Sequence, residues 1–137
     1  MEEARFAVLG EPVPKARPRV VNGHAYTPAK TKNHEEKIAL VYKSIYHGDR
    51  FDKGISLRVK TDFYRTIPKS ARKQDRELMR SGMKRPTVKP DIDNLAKTVL
   101  DALLGVAYED DNQVAELECR KFYSDEPRTE ICIEVVN

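Results

Sequence analysis

Ile55-Ser56-Leu57-Arg58-Val59-Lys60-Thr61-Asp62-Phe63-Tyr64 sets Ile55, Leu57, Val59, Thr61 and Phe63 on one side of an extended chain and Ser56, Arg58, Lys60, Asp62 and Tyr64 on the other. Alternation at period two marks a strand with one buried face; a helix would repeat its apolar residues every three to four positions. The second face of this strand is basic. Working outward from it, the helical period appears on both sides. Thr27-Pro28 supplies an N-cap and a first-turn proline for a helix that runs to about Tyr46, with Ile38, Val41, Tyr42 and Ile45 at helical spacing and Gly48 as its stop. Downstream, Leu95, Val99, Leu100 and Leu103 form one apolar stripe of a helix from Asn94 to Leu104.

The remaining segments complete the pattern. Arg5 to Leu9 reads as a short strand, ended by Gly10 and a stretch whose prolines (Pro12, Pro14, Pro18) forbid a helix. Asn22-Gly23 predicts a two-residue hairpin turn between Val20-Val21 and Ala25-Tyr26, because both turn positions accept positive φ. Ser70 to about Ser81 predicts a short, charged surface helix closed by Gly82, followed by a loop from Met83 to Pro90. Two closing strands, Ala115 to Phe122 and Thr129 to Val136, are expected to form a terminal hairpin through Ser124-Asp125-Glu126-Pro127-Arg128. Strands and helices mixed in this order predict one α+β domain over residues 1–137, with helices packed on a mixed β-sheet.

Composition narrows the functional classes. The chain of 137 residues carries 25 Lys plus Arg and 22 Asp plus Glu, for a net charge of +3. That charge is unevenly spread: residues 1–52 carry +2, residues 53–90 carry +9 and residues 91–137 carry −8. A basic stretch followed by an acidic one is a prior for binding nucleic acid. No apolar run approaches the roughly 18–20 residues of a membrane span, and Met-Glu-Glu-Ala-Arg lacks the form of a signal peptide, so a cytoplasmic protein with no membrane partner is expected. Cys119 and Cys132 lack zinc-site spacing and read as buried free thiols. His24, His34 and His47 lack it too, and read as surface residues.

The stretch richest in chemistry is Lys89-Pro90-Asp91-Ile92-Asp93-Asn94-Leu95-Ala96-Lys97, followed after the helix by Glu109-Asp110-Asp111. Asp91 and Asp93, in an extended or capping segment introduced by Pro90, point to one side, and Leu104 to Tyr108 is long enough to return the second acidic group towards the first. Like charges about 4 Å apart repel by about 4 kcal/mol at an effective dielectric of 20, so convergent carboxylates call for protons or a cation. Hard oxygen donors select Mg²⁺ or Mn²⁺, ions that polarise a phosphodiester and orient water for attack. Lys97, one turn after Asp93, is placed to offset charge that develops in the transition state. The competing reading is structural: an N-cap aspartate, an Asp93–Lys97 ion pair and a solvated turn.

These residues carry a resemblance. Lys89 to Lys97, then Leu100-Asp101-Ala102-Leu103 and Glu109-Asp110-Asp111-Asn112-Gln113-Val114, are similar to the signature of the RusA family of Holliday-junction resolvases. Gly10 to Arg19 and Tyr26 to Lys32 also resemble the longer, phage-associated members. The resemblance implies a homodimeric, Mg²⁺- or Mn²⁺-dependent endodeoxyribonuclease that makes paired nicks in branched DNA, the four-way junction. It places Asp91, Asp93 and Asp111 as metal-binding carboxylates and Lys97 as the catalytic lysine; Asp110 is an adjacent alternative to Asp111. Asn94 and Asp101 match the motif in a supporting role.

For the DNA backbone, the sequence offers Lys15, Arg17, Arg19, Lys30 and Lys32, with no acidic residue between Pro12 and Lys32, and in a second group Arg72, Lys73, Arg76, Arg80, Lys84, Arg85 and Lys89. No set of residues reads as base recognition, so junction shape is the expected determinant. Tyr26, Phe63, Tyr64 and Tyr108 are candidates for stacking, against packing in the core or at its rim. A DNA-binding module without catalysis is the alternative class.

Overall fold

A computed structural model describes residues 1–136; Asn137, the last residue of the expected domain, lies outside them. The elements run β1 (Glu3–Leu9), β2 (Arg19–Val21), β3 (His24–Tyr26), α1 (Ala29–Tyr46), β4 (Leu57–Thr66), α2 (Lys73–Ser81), α3 (Ile92–Leu103), a 3₁₀ turn (Asp111–Gln113), β5 (Val114–Ser124) and β6 (Arg128–Val135). This is the α+β single domain the patterning predicts. Four strands form one mixed sheet in the order β1-β6-β4-β5, and β2 and β3 form a separate two-stranded ribbon.

The alternation of residues 55–64 places their strand inside that sheet. Leu57, Val59, Thr61 and Phe63 are all buried, while Arg58, Lys60, Asp62 and Tyr64 line the opposite face. β4 is therefore an inner strand, parallel to β5 on one side and antiparallel to β6 on the other. This overturns the expected terminal hairpin: β5 and β6 are separated by β4, and the polar turn between them passes over its C-terminal end, where Ile67 N donates to Ser124 O (3.3 Å). The physical reason is burial. No residue of β5 is fully buried, and Leu117 is exposed, so β5 takes the edge, whereas the fully alternating β4 gains more from the middle.

α1 packs on β1 and on α3, and α3 packs on β5, so both helices cover one face of the sheet. Leu95, Val99 and Leu103 of α3 are fully buried against Ile38 and Tyr42 of α1, Phe6, Val8 and Ile131 of the sheet, and Tyr108. Each such side chain contributes roughly 1.5–3 kcal/mol relative to exposure. Phe63 and Tyr108 are thus core residues, while Tyr26 is exposed on the ribbon. The ribbon turn is the expected one, with Asn22 at φ 51° and Gly23 at φ 79°.

Several boundaries differ from the expectation. Pro28 occupies the N-cap of α1, one residue later than predicted, and accepts from Lys32 N through its carbonyl (3.1 Å). His47, in the left-handed region, closes α1 ahead of Gly48. His34 is not a surface residue; it lies on the buried stripe of α1 with Thr31, Ile38 and Tyr42, and burial pushes its pKa down. Ile45, expected on that stripe, is exposed. α2 begins at Lys73 and ends, as expected, at Gly82.

The outer face of the sheet is laced with charge. Arg58 pairs with Glu116 and Glu134, Lys60 with Glu134, Arg120 with Asp62 and Arg128 with Glu130. Tyr64 stacks on Phe122 with centroids 5.1 Å apart, under the Arg128 guanidinium. Most acids of the closing strands are therefore balanced here, away from the helices. Both cysteines are free; Cys132 is buried, which pushes its thiol up to about 12, and Cys119 is half-buried.

Candidate active site

The acidic block begins where α3 begins. Pro90 disfavours helix in the residue before it, so the helix starts just beyond, with Asp91 at the N-cap in extended geometry (φ −68°, ψ 144°). Asp93 is consequently inside the first turn and not in an extended segment, two residues earlier in the helix than the apolar stripe suggests. Asp91 makes no side-chain capping hydrogen bond, so its carboxylate is not consumed as a cap. Asp93 Oδ1 accepts from Asn94 N (2.9 Å). Neither pairs with Lys97 within 4.0 Å among the described residues, so the simple ion-pair reading does not hold.

The second acidic group returns to α3 as expected. Tyr108 is fully buried and donates its hydroxyl to Leu100 O (3.0 Å), while Gly105 N donates to Tyr108 O (2.7 Å). This pins the reversal. Asp110 then caps the 3₁₀ turn, accepting from Asn112 N (2.9 Å), and Gln113 Oε1 accepts from Asp110 N and Glu109 N, both at 3.1 Å. Gln113, buried, also donates to Asp52 O (2.9 Å) and Ile55 O (3.2 Å), tying the turn to the approach to β4. Asp110 is thus engaged as a cap, and it is Asp111 that faces α3.

Asp93, Lys97, Asp101 and Asp111 line one cleft of about 280 Å³ between α3 and the start of β5, walled on its apolar side by Ala96, Leu100, Val114 and Leu117. Desolvation, then the charges of Asp101 and Asp110, push the Asp111 pKa up, and Lys97 opposes them. Asp91 lies in a second, more open cleft of about 750 Å³ with Lys89 and Lys121, and Asp93 lines both. The three aspartates are not gathered as tightly as a closed ligand cage. Among the described residues the one trio of His, Cys, Asp or Glu donors with ligand atoms within 4.8 Å of one another is Glu3, Cys132 and Glu134 on the outer face, where Arg5, Arg58 and Lys60 already neutralise the acids. The cleft donors are oxygen only, flanked by a lysine, and fit a hard divalent cation that keeps several of its waters.

The basic residues divide. Lys15, read from sequence as a phosphate contact, is an internal strut: its ammonium lies 3.0 Å from both Glu35 of α1 and Asp101 of α3, its side chain is 16% exposed, and its backbone N donates to Asn94 O (2.9 Å). Burial works against the Lys15 charge, but the two carboxylates outweigh it and hold the pKa above the ordinary lysine value. Lys15→Ala is expected to cost about 1–3 kcal/mol of stability in urea unfolding, because two half-buried acids lose their partner. The salt slope of DNA binding should stay unchanged; a slope shallower by about 0.9 would return Lys15 to the phosphate contacts. Arg17, Arg19, Lys30, Lys32 and Lys89 are exposed, and the described residues offer them no salt-bridge partner. In the second group Arg80 pairs with Asp125, Lys84 with Asp75, and Arg85 lies over Phe122.

Two residues of this region act through contacts that the motif does not show. Gln113 was legible as the third residue of a capping box opened by Asp110. Lys121 gave no local signal, since its partners lie more than thirty positions away.

Residues 10–134 match the family described as endodeoxyribonuclease RusA. The chain is also similar to the uncharacterized protein YqaN of Bacillus subtilis (strain 168), with 42% identity over 143 aligned residues that take in 100% of this chain and 99% of that protein. With nearly its whole length matched, the chain belongs to the RusA family of endodeoxyribonucleases.

Proposed function

We propose that this protein is a Mg²⁺-dependent endodeoxyribonuclease, with Mn²⁺ able to substitute, that resolves four-way DNA junctions by paired symmetric nicks in recombination and repair. The observation that carries this reading is the cleft that gathers Asp93, Lys97 and Asp111, with Asp91 in the second cleft that Asp93 also lines. Asp91, Asp93 and Asp111 are the residues that would hold the ion, which when bound polarises the scissile phosphate and lowers the pKa of water. Lys97 contributes a fixed positive charge at the same cleft, where negative charge builds up on the phosphoryl oxygens. Ala96, Leu100, Val114 and Leu117 keep one wall of it apolar, which strengthens each charge interaction inside. Exposed Arg17, Arg19, Lys30, Lys32 and Lys89 are the proposed phosphate contacts that hold the duplex arms.

The proposal includes a homodimer. A protomer of this length has a radius of gyration of roughly 14 Å, too small to reach two cleavage positions on opposite strands. Two symmetric cuts call for two symmetric sites, which a two-fold dimer supplies.

A synthetic four-way junction, labelled on each strand in turn, tests the reading. Symmetric nicks in Mg²⁺ or Mn²⁺, none in EDTA, and little cutting of linear duplex are expected, together with a dimer in sedimentation equilibrium. Junction binding with no cleavage in either metal would replace the nuclease with a structure-specific DNA-binding protein.

A further inference from the structure

The segment that delivers Asp91 has little bonding of its own. From Arg85 to Pro90 no amide or carbonyl enters a backbone–backbone hydrogen bond among the described residues, and Pro86 and Pro90 have no N–H to offer. Its anchors come from the edge strand. Lys121 of β5 donates to Val88 O and to Pro90 O, both at 2.9 Å, so one ammonium grips two carbonyls of the segment, the second immediately before Asp91. Arg85 lies over the ring of Phe122, the next residue of β5, at 4.4 Å from the centroid. Lys121 itself stands opposite Phe63, a core residue of β4, and so is paired to a buried inner strand of the sheet.

We propose that Lys121 is a positioning residue for the cation site: by holding the Pro90 carbonyl it fixes where α3 starts and so presents Asp91 beside Asp93. The inference rests on the proposed function, since it concerns the same ion. Its chemistry is that of an outer partner orienting a ligand. Hydrogen bonds from an ammonium are about twice as strong as neutral ones, and three N–H groups allow both carbonyls to be held at once. Lys121 lines the cleft with Asp91 and Asp93, so its charge also lies on the side of the site away from Lys97.

The test uses the full chain and Mn²⁺ alone. Free Mn²⁺ is followed by electron paramagnetic resonance, without DNA, for wild type, Lys121→Met and Lys121→Arg. Lys121→Met keeps the stem but removes the donors, and should weaken Mn²⁺ binding about 10- to 100-fold, the usual range for loss of a ligand-orienting partner. Lys121→Arg, which retains charge and donors, should recover most of that loss. Thermal midpoint and junction affinity in EDTA should stay close to wild type. If Lys121→Met fails to fold, Lys121→Gln takes its place, with an intermediate loss expected. Wild-type Mn²⁺ affinity in the Met or Gln variant overturns the inference, as does a loss confined to junction binding in EDTA, which would make Lys121 a phosphate contact. Failure of the underlying reading looks different: wild-type protein would then bind no Mn²⁺ and leave junctions uncut.

Discussion

Asp93→Asn is expected to lower the rate of junction nicking by about 10³-fold or more, equivalent to about 4 kcal/mol of transition-state stabilisation, because it removes one anionic oxygen donor from a cation that supplies several kcal/mol. Asp93 is singled out because it lines both clefts, and is therefore the residue that joins Asp91 to Asp111. The fold should survive. Asparagine is isosteric, its amide oxygen can still accept from Asn94 N, and an exposed first-turn acid contributes only about 0.3–1 kcal/mol through the helix dipole. Single-turnover cleavage in Mn²⁺, with junction affinity in EDTA measured alongside, separates the two effects. Nicking within tenfold of wild type would move the cation away from Asp93.

Lys97→Ala carries the second largest effect, a loss of about 10²–10³-fold in nicking rate, the range for removing one preorganised group that stabilises developing negative charge. Lys97 is exposed at the cleft, unpaired among the described residues within 4.0 Å, and close enough to Asp111 to oppose the rise in its pKa that burial causes. In the proposed mechanism such a lysine acts on the phosphate, and no salt bridge among the described residues ties it to the fold. Mn²⁺ affinity and junction affinity should stay within about threefold of wild type, less than 1 kcal/mol. A parallel loss of junction affinity would reassign Lys97 to substrate binding, and loss of stability would make it structural.

These predictions depend on unequal contributions from sequence and structure. β4 was legible because its alternation is local: every second side chain faces the core whatever lies on either side. The α3 stripe was legible for the same reason, with Leu95, Val99 and Leu103 buried as their spacing requires. The hairpin does not form because strand order is a competition. The turn from Ser124 to Arg128 is as short as a hairpin turn, but β4 buries a full face and displaces β5 to the edge.

Charge was harder still, since the sequence shows a charge but not its partner. Lys15 lies in a run free of acids and read as a DNA contact, yet the fold brings Glu35 and Asp101 to 3.0 Å from it. His34 is buried because α1 turns that face to the core, although its neighbours in sequence are polar. The carboxylates followed the opposite course: as a motif they were evident, and what remained open was which of Asp110 and Asp111 faces the helix. The hydrogen bonds of the 3₁₀ turn engage Asp110 as the cap and leave Asp111 at the cleft.

By itself, then, the sequence determined which segments are strands and helices, which residues carry the acidic and basic chemistry, and which family the chain belongs to, because periodicity and motif spacing are properties of neighbouring residues. The tertiary structure decided which strands are inner and which are edges, which lysines have carboxylate partners, which aspartate shares a cleft with Asp93, and that Lys121 holds the segment before Asp91. Each of those depends on groups far apart in the chain, which only packing of the sheet and helices brings within hydrogen-bond or Coulomb range.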